Sequence, residues 1–157
     1  MILYPFGFIK TPALVVGQAY QGGIISYLSS PTTGLIISSA DVVSGNTTTW
    51  GCAGSGVSTS TAIGTGQSNT TNILNACATR PIAASLCDAY SNDGYSDWYL
   101  PSKSELATAF SSGVINEGGW WTSSQIDSFN AWALYNGGFE QSVSKGSGRQ
   151  VRAMRSF

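Results

Sequence analysis

Few residues in this 157-residue chain can do chemistry, and their types narrow what that chemistry is. Among eight acidic residues, two pairs are spaced for joint action: Asp97 with Glu105, and Asp127 with Glu140. Such a pair suits acid–base work on a glycosidic bond, one carboxyl protonated and the other ionised. Asp88, Asp93 and Asp97 lie close enough to offer oxygens to a hard cation such as calcium. Their spacing does not follow the calcium-loop pattern, however, and Asp93-Gly94 has a simpler role as a turn. The chain has no histidine, which removes the usual proton shuttle and the commonest metal ligand together. Cys52, Cys77 and Cys87 show no Cys-x-x-Cys spacing for zinc, and a nucleophilic thiol would lack its imidazole partner. The expectation is a protein without catalytic residues, metal or cofactor.

Glu105 also has a purely structural explanation. Ser102 followed by Glu105 is a capping box, in which the serine oxygen takes an amide of the first helical turn and the glutamate takes the serine's own amide. Trp98 and Leu100 form an extended aromatic segment, stopped by Pro101, and the helix begins directly after it. Leu106 and Phe110, one turn apart, are expected to bury against Trp98 and Leu100.

The elements around this stretch follow from periodicity. A strand is expected from Gln18 to Leu28 and a second at Leu35 to Ile37, joined as a hairpin through Pro31-Thr32-Thr33-Gly34. Residues 44–68 are Gly, Ser and Thr with Trp50 and Cys52 as fixed points, a loop too polar for a core and long enough to need specific anchoring. A helix over Ser68 to Ala78 turns Ile73, Leu74 and Cys77 inward. Another opens with Pro81 at its first position and carries Ile82, Leu86 and Tyr90 on one face. After Gly118-Gly119 the period becomes that of strands. Trp120 to Thr122, Ala131 to Tyr135, Phe139 to Val143 and Gln150 to Phe157 form a meander, with Asn136-Gly137-Gly138 as a left-handed turn. The order is α+β: an N-terminal hairpin, two to three short helices and a C-terminal antiparallel β-meander.

Composition bounds the rest. Only 10% of residues are charged, against about a quarter in ordinary domains, yet the five Trp, seven Tyr and six Phe supply a packed core. A net charge of −1 gives no footprint for nucleic acid. The apolar start, Met1 to Ile9, has no basic lead-in and is broken by Pro5 and Gly7, so neither a signal peptide nor membrane insertion is expected. Residues 1–16 read as an extended arm for assembly or oligomer contact, with 17–157 as the binding domain. A Cys52–Cys77 disulfide would pin the polar loop to the first helix, with Cys87 left as a buried thiol. Synthesis in a reducing cytoplasm would delay that bridge until release.

Several ordered pieces carry a resemblance. Trp98 with Leu100-Pro101-Ser102 and Glu105-Leu106 is similar to the mark of C-type-lectin-like folds of the sulfatase-modifying-factor kind. Together with Gly22-Gly23-Ile24-Ile25, Trp50-Gly51-Cys52, Ile63-Gly64-Thr65-Gly66, Trp120-Trp121-Thr122-Ser123-Ser124, Ala131-Trp132 and Val151-Arg152-Ala153-Met154-Arg155, it resembles the C-terminal domain family of the Legionella collagen-like adhesin. The likeness spans about residues 17 to 157. It implies a C-type-lectin-like fold, homotrimers, and ligand binding through the loops and strand face of the C-terminal half.

Mapped onto this chain, that face offers Gln125, Asp127, Phe129 and Asn130 in one loop and Tyr135, Asn136, Phe139 and Glu140 about the hairpin turn. Aromatic, amide and carboxylate groups together suit sugar hydroxyls or a protein epitope. Trp98, Pro101, Ser102, Glu105, Trp121 and Trp132 are expected to be structural, with Arg152 and Arg155 donating to loop carbonyls. The calcium-binding Glu-Pro-Asn and Trp-Asn-Asp motifs of sugar-binding C-type lectins are absent.

Adhesin likeness without an export signal points to a phage particle assembled in a host cytoplasm. The expected function is a tail-fibre, tail-tip or capsid-fibre component that recognises a bacterial surface glycan or protein and joins other virion proteins through the N-terminal arm. The alternatives are a decoration or adaptor protein of the virion without a specific ligand, and a bacterial cell-surface adhesin domain.

Overall fold

The computed structural model describes residues 12–43, 45 and 47–157. Most of the proposed arm, residues 1–11, lies outside them. The remainder is exposed except Leu14, which packs on the core.

Chain order is α+β. Strands β1 (Ala19–Tyr20), β2 (Gly23–Ser30) and β3 (Thr33–Ile37) precede helices α1 (Gly66–Ala76), α2 (Ala83–Asp88) and α3 (Lys103–Ser111). Strands β4 (Gly119–Gln125), β5 (Asn130–Tyr135), β6 (Phe139–Ser144) and β7 (Met154–Ser156) follow. They form two antiparallel sheets, β1-β2-β3-β7 and β4-β5-β6.

The hairpin and most of the meander fall where periodicity put them, with two corrections. The strand expected over Gln18–Leu28 is two strands: Gln21 and Gly22, both at positive φ, reverse the chain between them. Gly22 is required there, since a Cβ would stand 2.7 Å from the Asn92 carbonyl oxygen. The last strand leaves the meander. Gln150 bridges Trp120 in parallel, and β7 then pairs with β3 in the first sheet. Arg149-Gln150 carries the chain between the sheets, a contact no local pattern encodes.

Helix α3 begins as expected. Ser102 Oγ accepts from Glu105 N at 3.2 Å, and Ser102 N donates to Glu105 Oε2 at 2.8 Å. Leu106 and Phe110 do not pack with Trp98 and Leu100. The extended segment alternates, so Trp98 and Leu100 face one core cluster while Tyr99 meets Leu106, Phe110, Trp120, Leu134 and Met154 in another.

Helix α1 starts two residues early. Helix α2 starts after a buried, extended Ile82 rather than at Pro81; Ile82 N donates to Ser85 Oγ at 2.9 Å. Its inner face is Ala83, Ala84 and Cys87 rather than Leu86 and Tyr90, which are half-buried. Small side chains there allow close packing. Cys87 is the free, buried thiol; Cys52 and Cys77 are joined, their Cα atoms 5.3 Å apart.

Arg155 and Arg152 hold the ends of the first sheet. Arg155 grips Asp97 with two bonds of 2.6 and 2.9 Å and also donates to Gln21 Oε1, so its acceptors are side chains rather than loop carbonyls. Arg152 donates to the Ser38 carbonyl and to Asp41, whose carboxylate also takes Trp120 Nε1 and Gln150 Nε2.

Glu105 is fully buried, and it accepts from Ser102, Gly64 and Gly66 amides. Replacing it with alanine strands those donors. Glu105→Ala is expected to lose about 3 kcal/mol or more in urea denaturation, and Glu105→Gln markedly less. The Arg155 bond holds the Asp97 carboxyl below its ordinary value of 3.8. A lowered folded-state value means stability present above pH 3.8 and lost as pH falls through the lowered value. Asp97→Asn is therefore less stable than the parent at pH 7, and the difference closes on acidification in the same denaturation series.

Candidate functional site

The long polar loop is anchored rather than free, and its anchors are side chains. Trp50 is fully buried and donates its indole N–H to the Thr122 carbonyl at 2.8 Å. Downstream, Gln125 Oε1 accepts from Val57 N at 2.8 Å, and Thr59 Oγ1 accepts from Gln125 N at 2.8 Å. Asn69 bonds Ser60 through both its amide oxygen and nitrogen, at 2.9 and 2.7 Å. Ser124 Oγ donates to the same Ser60 carbonyl at 2.8 Å, and Ser102 Oγ donates to Ala62 O at 2.8 Å. With Glu105 holding Gly64 and Gly66, the loop is fastened to β4 and to the start of α3.

Lys145 completes this fastening. Its residue surface is wholly buried, and Nζ donates to Ser55 O at 2.9 Å and to Gln125 Oε1 at 2.6 Å, above the Trp50 ring at 4.5 Å. Among the described residues no carboxylate pairs with it. Burial lowers its pKa, while the more distant Asp127 works the other way.

The eight residues singled out for ligand contact fall into two groups at opposite ends of β5. At one end are Gln125, Asp127, Phe129 and Asn130. Gln125 is spent on Val57 and Lys145. Asp127 Oδ1 accepts from Phe129 N and Asn130 N at 2.7 and 2.8 Å, and Asn130 Nδ2 bonds both its oxygens. These bonds, led by Asn130, lower the Asp127 pKa. This ring of bonds shapes the turn that presents Phe129, whose side chain is 64% exposed beside Gly54, with Ile126 partly exposed next to it.

At the other end stand Tyr135, Asn136, Phe139 and Glu140. The Tyr135 hydroxyl meets Arg149 Nε, and its ring fills the space above Gly119. Asn136 Oδ1 accepts from Gly118 N at 2.6 Å, and Glu140 pairs with Lys103 at 2.8 Å. Phe139 is 71% exposed. Phe129 and Tyr135, one from each group, lie six positions apart along the strand, about 20 Å. One chain therefore does not join them into a single site. Of these eight residues, Phe129 and Phe139 are the ones whose side chains are left without internal work.

Trp121 is fully buried, Trp120 nearly so, and Trp132 half-buried beneath Lys103 Nζ at 4.6 Å from its ring. Asp127 and Glu140 lie in the two separate groups. Among the described residues no three of Cys, Asp and Glu gather as metal ligands. Two clefts were invisible in the sequence. One runs past Tyr20, Gln21, Asn92 and Asp93; the other lies over Asp41, Glu117, Gln150 and Arg152. The polar floor of the second is tied up by the Asp41 bonds, and Asp41 stands in no motif that would have announced it.

No protein-family model and no characterised protein matches this chain.

Removal of the buried ammonium tests the fastening. In Lys145→Met the carbonyl of Ser55 loses its donor, and proteinase K is expected to cut between Cys52 and Val57 at least about tenfold faster than in the parent, with the remaining core intact.

Proposed function

We propose that this protein is a non-enzymatic binding module of a phage particle, a tail-fibre, tail-tip or capsid-fibre component that recognises a bacterial surface glycan or protein. The observation that carries the reading is the Phe129 turn. An exposed aromatic is set on a loop whose peptide groups are bonded by Asp127 and whose neighbours are fixed by Lys145 and the Cys52–Cys77 bridge. A rigid, outward aromatic flanked by amide and carboxylate groups loses little entropy on contact and suits either a sugar face or an apolar epitope. The finer fold assignment, C-type-lectin-like, is part of this proposal. Its support is the likeness of the sequence pieces together with two small antiparallel sheets, three short helices and loops stapled between them. The virion location and the adhesin-like homotrimer rest on the same likeness.

A second reading, a decoration or adaptor protein without a specific ligand, draws on the exposed Val15 and Val16 next to Pro12. These residues continue the apolar N-terminal stretch towards a surface that a neighbouring virion protein would cover.

Fluorescently labelled protein tested against a panel of bacterial strains and a glycan array separates the readings. Recognition predicts binding to some strains and at least about a tenfold loss of affinity in Phe129→Ser, with melting unchanged and Phe129→Tyr close to the parent. Folded protein that binds no strain and no glycan, or binding indifferent to Phe129→Ser, overturns recognition through this loop.

A further inference from the structure

Cations and anions are used differently in this fold. Of the seven Lys and Arg, Lys10 lies outside the described residues. The others are all engaged by groups of the chain itself. Lys145 is buried on Ser55 and Gln125, Arg152 bonds Asp41, Arg155 bonds Asp97, and Lys103 pairs with Glu140. Arg149 meets the Tyr135 hydroxyl and donates to the Gly148 carbonyl at 2.6 Å. Arg80 caps the end of α1, donating to the Leu74, Cys77 and Thr79 carbonyls. Asp88, Asp93, Glu117 and Asp127, by contrast, are exposed and pair with no cation among the described residues. Such a surface turns away a polymer that carries phosphate, sulfate or carboxylate.

The Phe129 turn repeats this division at the level of single atoms. The amides of Ile126 and Asp127 donate to the Asn130 carbonyl at 2.9 and 3.2 Å, and those of Phe129 and Asn130 to Asp127 Oδ1. Across the loop, Gly54 N donates to the Ser128 carbonyl at 2.9 Å. Acceptors are what stay open beside the ring. Asp127 Oδ2 takes one bond, from Asn130 Nδ2 at 3.1 Å, where a carboxylate oxygen accommodates roughly two. Asn130 spends its amide nitrogen on that carboxylate, which leaves its Oδ1 without a described donor and beside Asp127 Oδ2. The donors left, the Ser128 amide and hydroxyl, adjoin the carboxylate, so an anion that reached them would meet a like charge. The bonds that lower the Asp127 pKa keep it ionised at neutral pH.

A matching ligand has an apolar face for the ring, several hydroxyl donors and no negative charge. We propose that the Phe129 turn takes an uncharged glycan, with one sugar ring lying on Phe129 and two adjacent hydroxyls donating to Asp127 Oδ2 and Asn130 Oδ1. Ile126, 37% exposed, extends the apolar rim. A hydroxyl donating to a carboxylate makes a charge-assisted bond, stronger than one between neutral groups. A basic peptide gains less here, because an ion pair with an exposed carboxylate contributes little. The inference rests on the recognition reading given above and narrows its ligand to one chemical class.

The test uses the full chain, fluorescently labelled, on cells of a strain that it binds. Periodate, which cleaves adjacent hydroxyls, is expected to abolish binding. Raising NaCl to about 1 M is expected to change affinity by less than about threefold, because no ion pair is broken, and inorganic polyphosphate is expected not to compete. Asp127→Asn keeps an oxygen for the Phe129 and Asn130 amides but replaces the open acceptor with a donor. It is expected to weaken binding about tenfold with melting unchanged, whereas a site for an anion would bind more tightly. Binding that survives periodate, falls more than about threefold in salt, yields to polyphosphate, or is not weakened by Asp127→Asn overturns the neutral-glycan assignment and leaves recognition standing. A folded protein that binds no strain overturns both.

Discussion

A stretch of chain such as residues 47–65, with neither helix nor strand, stays ordered only if its peptide groups find partners, and here many of those partners are buried side chains. Glu105 collects amides of Gly64, Gly66 and Ser102; Lys145 caps the Ser55 carbonyl; Asn69 closes on both sides of Ser60. Each is a polar or charged group taken out of water, which is costly unless its bonds are made. Burial pushes the Glu105 carboxyl up despite the amides that favour its charge, and pushes the Lys145 ammonium down. Among the described residues no buried side-chain nitrogen or oxygen lacks a partner. The network is therefore paid for within the fold, and its sensitivity to truncation follows from the same fact.

The rest of the structure arranges itself about this network. The alternating segment Trp98-Tyr99-Leu100 divides its side chains between the two core clusters. Pro101 then brings the chain to Ser102, whose cap glutamate also holds the loop. Trp50 sits between the loop and β4, under the Lys145 ammonium, so the aromatic core and the polar staples share atoms. What emerges is a scaffold with rigid loops and a small number of side chains, Phe129 and Phe139 foremost, that have no partner inside it.

Much of this was legible in the sequence where the physics is local. The Ser102–Glu105 box, the turn at Gly137-Gly138 and the period-two strands from Trp120 to Val143 depend on neighbours a few residues away. The Cys52–Cys77 pairing was legible as a way to tie a polar loop to a helix. The errors have a common origin. The departure of β7 from the meander, the use of Ala83, Ala84 and Cys87 instead of Leu86 and Tyr90, and the division of Leu106 from Trp98 are set by which surfaces meet. The candidate site shows the same split: Gln125, Asn130 and Asp127 have the composition of ligand contacts, yet most of their bonding capacity goes to the loop that carries Phe129.

The central claim is that side-chain staples make the polar loop as firm as the strands it joins. Amide hydrogen exchange of the unmodified protein, read residue by residue, addresses it directly. The account predicts that the amides of Val57, Ser60, Gly64 and Gly66 are protected to a degree comparable with those of β4 and β5. Exchange of those four amides at the rate of an unstructured peptide, while the sheets remain protected, would contradict it.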